Sequence, residues 1–275
     1  MNRPIRLVVL GALAFTALGM SSWADTQDYA DTLHRFVDGH GMVNYAGLKA
    51  NHQSLDRFLK GIADQSPDEY KTWPKNKQIA FWINAYNAIT LKSIINNYPI
   101  SASFFGSFLY PKNSIRQISG VWDKTKWDVM GRQMTLNNIE HDTLRKDFHE
   151  PRIHVALVCA SISCPPLRNV PYEGDKLDDQ LNDQLHRYFT NGKGLRIDRA
   201  NNVVYFSEIF KWYGKDLVGA PVTGFDDHSD VEKAVLSVMA KHVDEADAKY
   251  LRDGSYRIKY MDYNWGLNEQ GTKTK

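Results

Sequence analysis

Apolar residues recur along the chain at spacings that predict helices before anything chemical is considered. Leu55, Phe58, Leu59 and Ile62 fall at i, i+3, i+4 and i+7, which predicts a helix over 54–62. A shorter helix is expected over 31–37, an extended connection over 41–45 and a loop over 67–74. The strongest signal lies between Pro74 and Pro99, where a helix over 77–97 carries Ile79, Phe81, Trp82, Ile83, Tyr86, Ile89, Leu91, Ile94 and Ile95 on nearly every side. A helix that is apolar all round is buried, so its polar residues are informative. Lys77, Asn84 and Asn87 share one stripe of it. The two amides either satisfy core backbone groups or line a cleft as substrate-binding residues.

Residues 99–134 show no clear period, and a stretch of that length invites the reading of a lid over the core. Thr135 then caps a helix to Lys146, with Leu136, Ile139, Thr143 and Leu144 inward and Glu140, His141 and Arg145 beside that face. The β-branched run 153–158 predicts a core strand that is apolar except at His154. Further on come an amphipathic helix from Leu177 to Phe189, a hairpin over 195–206, a helix capped by Ser207 and another capped by Asp230. A terminal strand follows around Tyr256, Ile258 and Tyr260, and then an aromatic pair, Tyr263 and Trp265. The expected fold is a single α+β domain in which a buried central helix packs on a mixed or antiparallel sheet with peripheral helices.

The first residues change the picture of charge. Arg3 and Arg6, an apolar stretch from Leu7 to Met20 and the small-x-small ending Ser22-Trp23-Ala24 have the layout of a signal peptide cleaved after Ala24. Residues 25–275 would then form the exported domain, periplasmic or secreted, with no membrane span left after cleavage. Removing Arg3 and Arg6 leaves 32 basic residues against 32 acidic ones, so the formal charge of +2 belongs to the leader. Bulk charge therefore does not point to nucleic acid. The patch of Lys112, Arg116, Lys124, Lys126 and Arg132 around Trp122 and Trp127 also holds Asp123 and Asp128, and reads as ordinary solvated surface.

The candidate chemistry sits after the expected strand. Cys159, Ser161, Ser163 and Cys164 come off its end, and Pro165 and Pro166 stop the chain from continuing in regular structure. The leading reading is a Cys159–Cys164 disulfide in a non-catalytic envelope binding or scaffold domain, stabilised by roughly 2 kcal/mol through loop closure in an oxidising compartment. Its partner would be an envelope component, peptide or small molecule, recognised by Asn84, Asn87, Ser161, Ser163 and Arg145.

Two alternatives stay open. In one, Cys159 or Cys164 is a nucleophile activated by His141 or His154, with Glu140 nearby and loop amides or Asn84 and Asn87 holding an oxyanion. This is amide or ester hydrolysis or acyl transfer, analogous to papain-like and transglutaminase-like enzymes. In the other, Cys159 and Cys164 bind zinc with one or two of His141 and His154. No cofactor is otherwise indicated.

Five blocks carry a family resemblance: FWINAYNAIT at 81–90, NNIEHDTLR at 137–145, CASISCPP at 159–166, FKWYGKD at 210–216 and YNWGLN at 263–268. Together they resemble the domain-of-unknown-function 547 family over about residues 45–268. That family is defined by sequence and has no agreed activity, so the resemblance implies a fold unit and positions to watch, the Glu140-His141 pair among them. Similar sequences tend to read Asp-Trp-Ser-Leu where this chain has Asn264, Trp265, Gly266 and Leu267.

Overall fold

The buried helix is the axis of the molecule. A computed structural model describes residues 26–101, 109–219 and 222–272. The expected leader at 1–24 lies outside these residues. Five helices open the described chain: α1 (Thr26–Phe36), α2 (Tyr45–Ala50), α3 (Gln53–Asp64), α4 (Pro67–Lys71) and α5 (Lys75–Asn97). Ser66 caps α4 with Pro67 in its first turn, so the segment expected to be a loop is helical. Residues 79–91 of α5 are all buried. Helices α2 and α3 and the helix Asn138–Phe148 pack around it. Among the described residues no helix is long and apolar enough to cross a membrane.

The segment after α5 contains more order than its composition suggested. It holds a 3-10 turn (Ile115–Gln117) and a hairpin of β1 (Trp127–Val129) and β2 (Arg132–Met134), turned through Met130 and Gly131 at positive φ. Residues 102–108 of the expected lid lie outside the described residues. Asn138–Phe148 is a π-helix rather than an α-helix, and the Thr143 hydroxyl donates to the carbonyl of Asn138 across its wider turn. Such turns recur at functional sites.

The expected core strand over 153–158 does not form. Pro151–Val155 is a 3-10 helix whose first turn is capped by the Glu150 side chain, and the amides of Ala156 and Leu157 both donate to the Ile153 carbonyl. The residues are as buried as a core strand demands, but their backbone groups are satisfied locally and by Asn87. β-branched composition records burial as much as it records a strand.

The second half matches expectation more closely. Helix α6 (Leu177–Thr190) leads to a three-stranded sheet of β3 (Leu195–Asp198), β4 (Val203–Phe206) and β5 (Arg257–Tyr260). β3 and β4 are antiparallel and β5 runs parallel to β4, so the sheet is mixed. Between them lie α7 (Glu208–Tyr213), capped by Ser207, a 3-10 turn (Gly214–Leu217), α8 (Asp230–Lys241) and α9 (Glu245–Asp253). Ser229, not Asp230, caps α8 through a capping box with Glu232. This half is built on its own apolar cluster, which includes Val155, Leu185, Phe206, Phe210 and Leu236. The whole is a single α+β domain.

Candidate functional site

The loop carrying both sulfurs is shaped by the end of the chain. Ala160 sits at φ 55, in the left-handed region that a residue with a side chain occupies at a cost of roughly 1 kcal/mol, and turns the backbone between Cys159 and Ser161. The amide of Asn268 donates to the Ala160 carbonyl, that of Ile162 to Gly266 and that of Asn264 to the Ser163 hydroxyl, so residues 264–268 lace onto the loop. The Asn264 side-chain oxygen accepts the Gly266 amide at 2.9 Å. An aspartate oxygen accepts equally well there, so the departure from the Asp-Trp-Ser-Leu pattern leaves this turn intact.

This lacing brings Tyr263 onto the sulfur. Cys159 Sγ lies 3.1 Å from the Ser161 hydroxyl and 3.1 Å from the Tyr263 hydroxyl, and the two hydroxyls are 3.2 Å apart. The backbone amide of Cys159 donates to Cys164 Sγ at 3.0 Å. The Cys164 thiol, then the hydroxyls of Ser161 and Tyr263, favour a Cys159 thiolate against the opposing effect of burial, and lower its pKa from 9.0 to about 7. Burial, together with the neighbouring Cys159 charge, pushes the Cys164 thiol up. Cys159 is half-buried and Cys164 buried. Both are free thiols, so the bridge expected from their spacing is not formed.

Cys159 and Cys164 line a cavity of about 650 Å³ together with Glu140, His141 and His154. Aromatic rings line much of it, among them Tyr86 from α5, Tyr213 and Trp212 from α7, and Trp265 from the terminal segment. A larger neighbouring cavity, about 860 Å³, backs onto the loop through Ser163 and Tyr263 but carries neither sulfur. Glu140 is buried and accepts the Tyr86 hydroxyl at 3.1 Å, and its charge adds to burial in pushing the Tyr86 and Tyr213 phenols up.

The two histidines are joined through Arg145 and Asp216 together. His154 Nε2 donates to Asp216 Oδ2 at 2.8 Å, while Arg145 Nε and Nη2 hold the two carboxylate oxygens at 2.6 and 2.8 Å. Arg145 Nη1 lies 3.0 Å from His141 Nδ1. A guanidinium only donates, so Nδ1 is the acceptor and Nε2 carries the proton of His141. The His154 contact and the Arg145 fork hold Asp216 well below the usual carboxylate range. His154 also stacks on Tyr213 with ring centroids 4.1 Å apart.

The structure therefore gathers Cys159, Cys164, Ser161, Glu140, His141 and His154 and leaves other expected residues elsewhere. Asn84 brackets Tyr172, accepting its amide at 2.9 Å and donating to its carbonyl at 2.8 Å. Asn87 does the same between Ala156 and Val158. Both are core fasteners outside the cavity. Ser163 faces the larger cavity, and Arg145 positions Asp216 and His141. Neither His141 nor His154 is among the groups that depress the Cys159 thiol. Among the described residues no three His, Cys, Asp or Glu side chains are placed to share a metal ion, so the zinc alternative lacks a ligand set. Sequence reasoning assigned no site role to Tyr86, Tyr213, Asp216 or Tyr263, although each lies inside one of the five blocks.

Residues 70–189 match the family described as a protein of unknown function, DUF547. The resemblance read from the five blocks is supported over that stretch, which holds α5, the π-helix, both cysteines and most of α6. No curated protein and no solved structure matches the chain.

Proposed function

We propose that the protein is a thiol-dependent acyl-transfer enzyme with Cys159 as nucleophile. The observation that carries this reading is the set of donors around one sulfur: Cys164, Ser161 and Tyr263 together favour its thiolate near neutral pH at the wall of an aromatic cavity. A structural cysteine needs no such activation.

The thiolate adds to the carbonyl carbon of an ester or amide. The C–S bond forms and the π pair moves to oxygen. As the sulfur loses its charge it accepts less well, which frees the Ser161 and Tyr263 hydroxyls to donate to the oxyanion. Collapse of the intermediate breaks the bond to the alcohol or amine, which leaves with a proton taken from solvent, and leaves a thioester on Cys159. Water or a second amine then attacks the thioester, releases the acyl group, gives up its proton to solvent and restores the thiolate. Glu140 is held by Tyr86 and serves to fix the cavity wall.

The leader-like pattern of residues 1–24 supports export to an oxidising compartment and an envelope component as acyl donor. A second reading, a non-catalytic binding domain closed by a Cys159–Cys164 bond, draws on the contact between the two cysteines. Reaction with p-nitrophenyl acetate separates them. Acyl transfer predicts a burst of nitrophenolate with one acetyl group on the Cys159 peptide by mass spectrometry, absent in Cys159→Ser. Lack of an acetylated Cys159 in the fully reduced protein would contradict the proposal.

A further inference from the structure

Of the basic patch around Trp122, Lys112, Lys124, Lys126 and Arg132 are exposed as expected, while Arg116 lines the cavity. Its guanidinium carbon lies 4.4 Å from the ring centre of Tyr110, 5.0 Å from Trp265 and 5.7 Å from Trp122. One terminal nitrogen donates to the Tyr110 hydroxyl. The other charged groups nearby are differently placed. Arg145 is forked onto Asp216 and Glu140 accepts from Tyr86, whereas Asp123, on the same wall, forms no ion pair with Arg116. Among the described residues Arg116 has no carboxylate partner at all. Three ring faces hold the cation in one place and leave most of its five N–H donors free at their edges, an arrangement suited to a planar anion.

We infer that Arg116 is a specificity-determining residue that binds a carboxylate on the acyl donor while Cys159 attacks its carbonyl. The inference rests on the acyl-transfer reading and names its substrate class: acyl donors that carry a free carboxylate beside the reacting group. A neutral donor of the same shape leaves the Arg116 edge facing water and gains nothing from it.

The test uses bromoacetyl-amino acids of increasing chain length and the corresponding carboxamides as alkylating probes of Cys159. Their rates are divided by those with 2-mercaptoethanol to remove intrinsic differences. At the best chain length the acid is expected to react about fivefold faster than its carboxamide, the discrimination that an exposed charge pair supports. Arg116→Gln is expected to abolish that preference, bringing the acid and carboxamide rates together, and Arg116→Lys to keep part of it. Equal corrected rates for acid and amide at every length, or a preference that survives Arg116→Gln, overturn the inference while leaving Cys159 as nucleophile. A Cys159 that reacts with neither probe faster than 2-mercaptoethanol overturns both.

Discussion

The Tyr263 hydroxyl lies 3.1 Å from the sulfur of Cys159, although 104 residues separate the two in the chain. Their meeting depends on the terminal segment lacing onto the cysteine loop, so the last described residues are part of the site rather than an appendage. Replacing Tyr263 by Phe removes one donor to the thiolate and leaves the ring. The thiol midpoint, read from thiolate absorbance, is expected to rise above its wild-type value near 7, with folding stability changed by only about 1 kcal/mol. An unchanged midpoint would show that the phenol contributes nothing to activation.

Asp216 holds His154 directly and His141 only by way of Arg145, and its loss has a defined pH signature. Its carboxyl is depressed in the folded state, so the unfolded chain binds the proton more readily. The stability it supplies is complete above the ordinary carboxylate value of 3.8 and is lost as pH falls towards its folded value. Asp216→Asn is expected to cost about 2 kcal/mol at neutral pH, because His154 and Arg145 lose a charged partner, and to flatten the acid limb of the stability curve. Urea denaturation at a series of pH values measures both. An acid limb identical to wild type would rule out the linkage.

Asn84 and Asn87 provide a contrast between fold and site. Each side chain serves one buried backbone amide and one carbonyl, so Asn84→Ala and Asn87→Ala are each expected to cost about 2–4 kcal/mol. Only Asn87→Ala should also slow Cys159 alkylation, since Asn87 holds the segment leading to Cys159 while Asn84 holds Tyr172. If both variants slow alkylation equally, the two amides are not the separate fasteners described.

How far the site was legible in the sequence follows from these same residues. Helix α5 announced itself because burial on every side leaves an unmistakable composition, and the amides inside it were visible for the same reason. Whether they faced a cleft or a backbone was not visible, because that depends on residues 156–158 and 172 arriving from elsewhere. The run at 153–158 misled because burial and strand formation select the same side chains, and only Pro151 with the Glu150 cap hinted at a turn. The Glu140-His141 pair and the cysteines stood out by type. Tyr263 reaches the cavity, and Asp216 reaches the His154 that lines it, only through tertiary lacing, and their sole local trace was membership in a recognisable block.

Two cysteines in direct contact should also be convertible. Mild oxidation with diamide is expected to join Cys159 to Cys164 within one chain, block alkylation and be reversed by dithiothreitol; Cys164→Ala should form no internal bond. Mass spectrometry of the non-reduced peptides reads the outcome. Oxidation that yields only intermolecular dimers would mean that the contact does not persist in solution.

The central claim is that Cys159 rests as an activated thiolate, and the pH dependence of its alkylation by iodoacetamide tests it most directly. The rate in the reduced protein should rise along a single titration centred near 7, with Cys164→Ala shifting the midpoint upward by removal of the largest contribution to the depression. A midpoint at or above the ordinary thiol value of 9.0, or one that Cys164→Ala leaves in place, would contradict the account.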